Sequence, residues 1–80
     1  MDLIDIAVRD KQPHPRLHGR ITGHVRAVLS EQLGEHRQDH ELMIPVWADM
    51  VPGASEGDID MALMLKAAGI IAKMKARLAG

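Results

Sequence analysis

The sequence predicts an all-α fold, in which residues 1–80 form one small domain of three to four helices that assembles as a homodimer. Its 80 residues include one Trp and six Met but no Phe or Tyr. The core must therefore be built from aliphatic and Met side chains, which suit helix packing better than a β-sandwich. Apolar residues at helical spacing also dominate the C-terminal third. A chain this short buries little surface and, without Cys, forms no disulfides, so a second subunit is the expected source of stability.

The first two segments are a short N-terminal element over residues 2–9 and a connector over residues 10–19. The apolar residues of the first segment fit helical spacing, although Ile4, Ile6 and Val8 also alternate as in a strand. Asp2 as an N-cap and the lack of a convincing strand partner favour a short helix. The connector is predicted from its two prolines, its glycine and its polar residues.

Residues 20–44 are predicted to form a helix or a broken helix, followed by a short helix over residues 45–51. The apolar residues of the longer segment form one helical stripe, comprising Ile21, Val25, Val28, Leu29 and Leu33. Gly34 either ends this helix or weakens it. Pro45 is poorly tolerated inside a helix, so the chain is expected to break there and to start a new turn.

Residues 55–79 are predicted to form a long apolar helix. Ser55 and Asp58 resemble a capping box, acidic residues lie near its start, and basic residues lie near its end. One stripe comprises Ile59, Leu63, Ala67, Ile70, Met74 and Leu78, and further apolar residues widen it past half the circumference. Because little other chain is available to cover such a helix, we expect another subunit to share it. Ala67, Ala68 and Gly69 form a flat surface where another backbone could approach closely.

The predicted function is that of a small non-enzymatic interaction or regulatory protein, of phage-like or bacterial type, that binds a protein partner through an apolar helical surface. The candidate partner-binding residues are Trp47, Met50, Met61, Met64, Leu65, Ala68 and Ile71. For Trp47 two interpretations stay open, an exposed anchor for a partner or the largest residue of a core.

The main expectation is that the protein has no cofactor. Two further hypotheses give it a bound metal ion. On a continuous helix His36 and His40 share one face and could bind Zn²⁺ or another transition ion, with Asp39, Glu35 or residues of a partner chain as further ligands. Glu31, Glu35 and Asp39 would form a carboxylate row able to hold Mg²⁺ with substrate phosphates. The alternative in both cases is a solvated helix face without metal.

Charge and hydropathy favour a cytoplasmic protein with neither membrane nor nucleic acid as a partner. Ten Lys and Arg against eleven Asp and Glu give a net charge of −1, so the chain lacks the overall positive charge that nucleic acids attract. No apolar run approaches the roughly 20 residues of a membrane span, and the N-terminus does not resemble a signal peptide.

Residues 42–73 resemble the C-terminal half of small phage-encoded all-α proteins similar to the MazG-like nucleotide pyrophosphohydrolases. The resemblance lies in the segment IPVWADM, the Pro/Gly loop after it, and the acid-capped helix DIDMALMLKAAGI. It implies an all-α fold, dimerisation, Mg²⁺ and hydrolysis of nucleoside triphosphates through Glu-x-x-Glu motifs. The chain has no such motif. Its nearest acids are Glu31, Glu35, Asp39 and Asp58. A MazG-like hydrolase or nucleotide binder that uses Mg²⁺ is therefore the alternative function, and a histidine-based metal-binding protein is the second alternative.

Overall fold

Three long antiparallel strands and one helix make up the structure, so the predictions of an all-α fold and a helical bundle are wrong. The computed structural model describes the backbone of residues 2–79 and the side chains of residues 2–77. Its elements are β1 (Asp2–Pro13), β2 (Arg20–Leu33), β3 (His36–Asp49) and α1 (Glu56–Ala79). The strands form one sheet in the order β1-β2-β3, and α1 packs on one face, called here the inner face.

The segment predicted as a helix over residues 20–44 is β2, a turn and most of β3. Side chains on a strand alternate between faces, and Ile21, Val25, Ala27 and Leu29 all lie buried on the inner face. Gly23 shares this face, whereas the alternate residues Thr22, His24, Arg26 and Val28 are half-buried or exposed on the opposite, outer face. The helical stripe was misleading because Ile21, Val25 and Leu29 recur every four positions. This spacing fits both the 3.6-residue period of a helix and the two-residue period of a strand.

Gly34 is a hairpin residue and neither ends nor weakens a helix. The pairing of β2 with β3 closes at Leu33 and His36, which leaves a two-residue loop of Gly34 and Glu35. Gly34 has φ +64° and no other residue type in the described chain has positive φ. In a two-residue hairpin loop, a positive φ at the first residue alone indicates a type II′ turn. The twist of this turn matches that of the two strands it joins.

Pro45 lies inside β3, so the prediction of a short helix over residues 45–51 is also wrong. It pairs with His24, and among residues 2–79 β3 forms one edge of the sheet. Proline lacks the N–H group that a central strand must donate, but at an edge this group would point to solvent. The proline that argued for a helix break therefore marks an edge strand.

β1 occupies the region predicted as a short helix over residues 2–9, and it extends into the predicted connector. It pairs with β2 through two register shifts, one between Leu3 and Asp5 and one between Val8 and Asp10. The remaining loop turns at Gly19, which has φ +77°. In that loop the backbone N–H groups of Arg16 and Leu17 donate to Nδ1 of His14 at 3.1 and 3.0 Å.

A tight turn joins β3 to α1, and α1 occupies the segment predicted to be the long helix. Pro52 and Gly53 occupy the turn, with Gly53 at φ +84°, and the Ala54 N–H donates to the Val51 carbonyl at 3.0 Å. The core lies between α1 and the inner face. It comprises Ile21, Val25, Ala27, Leu29, Ile44, Val46, Ala48, Leu63, Ala67 and Ile71.

Candidate protein-binding surface on the C-terminal helix

The start of α1 is fixed by the predicted capping box. The Asp58 N–H donates to Oγ of Ser55 at 3.2 Å, and the Ser55 N–H donates to Oδ2 of Asp58 at 3.2 Å. These reciprocal bonds satisfy backbone donors that the first turn of a helix leaves free. Acidic Glu56 and Asp58 in the first turn and Arg77 in the last turn also complement the helix dipole.

One side of α1 is committed to the core. Leu63, Ala67 and Ile71 are almost fully buried, and Ile59 packs against the same cluster. Ile71, a candidate partner-binding residue, is 3% exposed and is therefore not available at the surface. Leu78, the last residue of the predicted stripe, lies outside the described side chains.

The opposite side of α1 is apolar and open to solvent. Met61 is 54% exposed and Leu65 is 64% exposed. Ala68 and Ala72 continue this side at spacings of three and four residues, with Gly69 beside them. We call these five residues the outward face. An alanine Cβ built at Gly69 meets no atom within 4 Å, so no packing contact within the described chain explains this glycine.

Charged groups flank the outward face at its two ends. Exposed Asp58 precedes it by less than one helical turn, and exposed Lys75 follows it by the same interval. Met64, another candidate partner-binding residue, is half-buried at its side. An apolar strip with a charged rim is the composition that protein interfaces show.

Trp47 and Met50, the other two candidates, lie elsewhere. Trp47 is 45% exposed on the outer face of β3. The guanidinium carbon of Arg20 lies 3.9 Å from its ring centroid, and Nζ of Lys66 lies 4.5 Å from it. These cation–π contacts join Trp47 to both β2 and α1, so the ring helps to hold the helix at the sheet edge.

Met50 borders a cleft of about 340 Å³ at the N-terminal end of α1, walled by Ile21, Ala48 and the β3–α1 turn. A second groove, of about 330 Å³, lies on the outer face between Trp47 and Pro45 on one side and Asp10 and Gln12 on the other. Both are open to solvent on one side.

The four metal candidates are not brought together. His36 and His40 are on β3, where a separation of four residues spans about 13 Å, so the helical spacing behind the Zn²⁺ hypothesis does not exist. Glu35 is in the hairpin turn. Asp39 accepts a bond from Nε of Arg37 at 3.0 Å, and this contact lowers the pKa of Asp39.

The carboxylate row is divided as well. Glu31 lies on the inner side of β2, where its Oε2 is 3.0 Å from Nε2 of His40. Asp39 pairs with Ser30 and points to the outer face. Among the described residues, no group of three or more His, Asp or Glu side chains is placed to hold a metal ion.

The outer face carries a charge network that the sequence pattern did not predict. Arg26, on the central strand, donates to Asp5 on β1 at 3.2 Å and to Glu41 on β3 at 3.1 Å. These contacts, led by the hydrogen bond to Glu41, raise the pKa of Arg26. Asp10 and His24 make a similar pair at 3.0 Å. The alternation of Thr22, His24 and Arg26 was the signal that could have revealed this polar face.

The chain matches no family model, no curated protein and no solved structure. The resemblance to MazG-like proteins therefore stays a prediction, and the β-sheet corrects the all-α fold that it implied. Within residues 2–79, α1 lacks the combination of length and apolarity that a membrane span requires.

Proposed function

We propose that this chain is a non-enzymatic interaction module that binds a protein partner through the outward face of α1, in the cytoplasm. The observation that supports this most directly is the exposure of Leu65 and Met61, at 64% and 54%, opposite the side of the helix that forms the core. A solvent-facing helix side is ordinarily polar.

The exposed residues contribute little to the fold of a single chain. Burying a Leu or Met side chain completely is worth about 1.5–3 kcal/mol, and more than half of Met61 and Leu65 stays exposed. Covering both of them would recover much of that free energy. A bound partner supplies this cover, and the core of ten residues is small enough to benefit from it.

The hydrolase alternative has less support. Glu31 and Asp39 point to opposite faces of the sheet, and Glu31 is already hydrogen-bonded to His40. Catalysis through Mg²⁺ and phosphate would need these carboxylates to converge on one site. The arrangement of side chains favours binding.

Site-specific photo-crosslinking tests the proposal. A photoreactive amino acid replaces Met61 in one variant and Met43 in a matched control. Met43 is also an exposed methionine, 46% accessible, but it is on the outer face of β3. We expect an adduct from position 61 only, and we expect Leu65→Ser in the same chain to suppress it. Equal adducts at both positions, or an adduct that Leu65→Ser leaves unchanged, would contradict the proposal.

A further inference from the structure

We infer that the partner of the outward face is a second copy of this chain, with the two α1 helices antiparallel. This inference rests on the proposed function and specifies its partner. It follows from the order of large, small and charged residues along the face.

The outward face is self-complementary in shape when two copies run antiparallel. Its large residues, Met61 and Leu65, lie in the N-terminal half, and its small residues, Ala68 and Ala72, lie in the C-terminal half. Met61 and Ala72 are equally distant from the point between residues 66 and 67, and so are Leu65 and Ala68. A two-fold axis at that point places each large side chain against an alanine of the second copy. Large-against-small pairing is how packed helices fill space.

Charge selects the same arrangement. Asp58 and Lys75 are equally distant from the same point, and both are exposed. The axis therefore brings Asp58 of each copy to Lys75 of the other, and it also places the two helix dipoles in the favourable opposite orientation. Parallel helices would instead place Lys75 against Lys75 and Leu65 against Leu65, with a gap between the alanines.

The contact is small for a protein interface. From Asp58 to Lys75 the helix rises about 26 Å, and alanines at the contact permit interaxial distances near 8 Å. One helix face buries less than the ~800 Å² per partner of a standard interface. We therefore expect a reversible dimer that dissociates in the micromolar range.

The test exchanges the large and small residues of one contact in the full chain. Sedimentation velocity measures self-association from about 1 µM to 1 mM, a range that covers weak interfaces. Leu65→Ala leaves a gap, and Ala68→Leu creates a clash. Because each contact occurs twice across the axis, we expect each single variant to weaken the dimer about tenfold or more.

Two combinations should restore the large-against-small fit of the antiparallel register. The double variant Leu65→Ala with Ala68→Leu again pairs a leucine with an alanine, and so does an equimolar mixture of the two single variants. We expect both to recover wild-type affinity within about threefold, a small difference on the free-energy scale. Circular dichroism confirms that the variants are folded.

Other outcomes separate this inference from the proposed function. A wild-type chain that stays monomeric at 1 mM, while the photoreactive residue at position 61 forms a Leu65-dependent adduct with a different protein, overturns the self-association alone. A dimer whose double variant is as weak as the single variants overturns the antiparallel register. No dimer and no adduct at position 61 would overturn both.

Discussion

Gly23 lies on the inner face of β2, where β1 passes unusually close, and Gly23→Ala tests this packing. A Cβ built at Gly23 overlaps the Asp10 carbonyl oxygen and lies 3.0 Å from Cα of Lys11. Both are backbone atoms, so they cannot move aside as the end of a side chain can. The close approach follows from the register shift in β1 between Val8 and Asp10, and it lets Lys11 reach Asp60 on α1 at 2.5 Å.

The expected cost of this substitution has two parts. Forcing a methyl group into a filled space costs about 1–3 kcal/mol. Displacing β1 also breaks the ion pair of Lys11 and Asp60, whose side chains are 26% and 38% exposed, and this loss adds to the cost. We therefore expect the free energy of unfolding to fall by at least about 1–3 kcal/mol. The whole free energy of unfolding of a domain of this length is only about 4–12 kcal/mol.

Urea unfolding followed by circular dichroism measures this loss. Gly69→Ala is the matched control, because the same methyl group added on α1 meets no atom within 4 Å. Alanine is a better helix former than glycine, so the free energy of unfolding of the control should rise by up to about 1 kcal/mol. A neutral surface substitution typically changes the free energy of unfolding by no more than about 0.5 kcal/mol. If Gly23→Ala changes it by no more than that, β1 does not pass as close to Gly23 as the structure shows.

Two further predictions concern α1 and the hairpin. Leu63→Ala should cost about 2–5 kcal/mol because Leu63 is fully buried, whereas Leu65→Ala should cost less than about 0.5 kcal/mol. Urea unfolding at low micromolar protein concentration compares the two variants. A larger loss of stability for Leu65→Ala than for Leu63→Ala would mean that α1 turns a different side to the sheet. Arg37 lowers the pKa of Asp39 from its ordinary 3.8, so their pair stabilises the fold above that value and loses its contribution as the pH falls through the lowered pKa. Arg37→Gln should raise the pKa of Asp39 in an NMR titration; an unchanged value would mean that the pair does not form in solution.

Local chemistry made α1 predictable. Ser55 and Asp58 bond within one turn, and the end charges act on the helix's own dipole, so the signals for this element lie inside its own segment. The turn at Pro52 and Gly53 is predictable for the same reason. For the candidate surface, the sequence predicted Met61, Leu65 and Ala68 as partner-binding residues, which stays a prediction, and it could not show that Ile71 lies in the core.

The strands were missed because their identity depends on partners far along the chain. β2 carries apolar residues that fit both a helical and an alternating pattern, and only its pairing with β1 and β3 decides between the two. A proline such as Pro45 can mark the end of a helix or a position in an edge strand. No residue near it in the sequence distinguishes these two structures.

The sequence by itself determined the C-terminal helix, its cap and its surplus of apolar residues, because each depends on neighbours within a few positions. Only the tertiary structure decided which of those residues are exposed at the surface. The sheet covers Leu63, Ala67 and Ile71 and leaves Met61 and Leu65 in solvent. That division arises because a helix has one side nearest the sheet, and which side this is follows from contacts between segments that are distant in the chain.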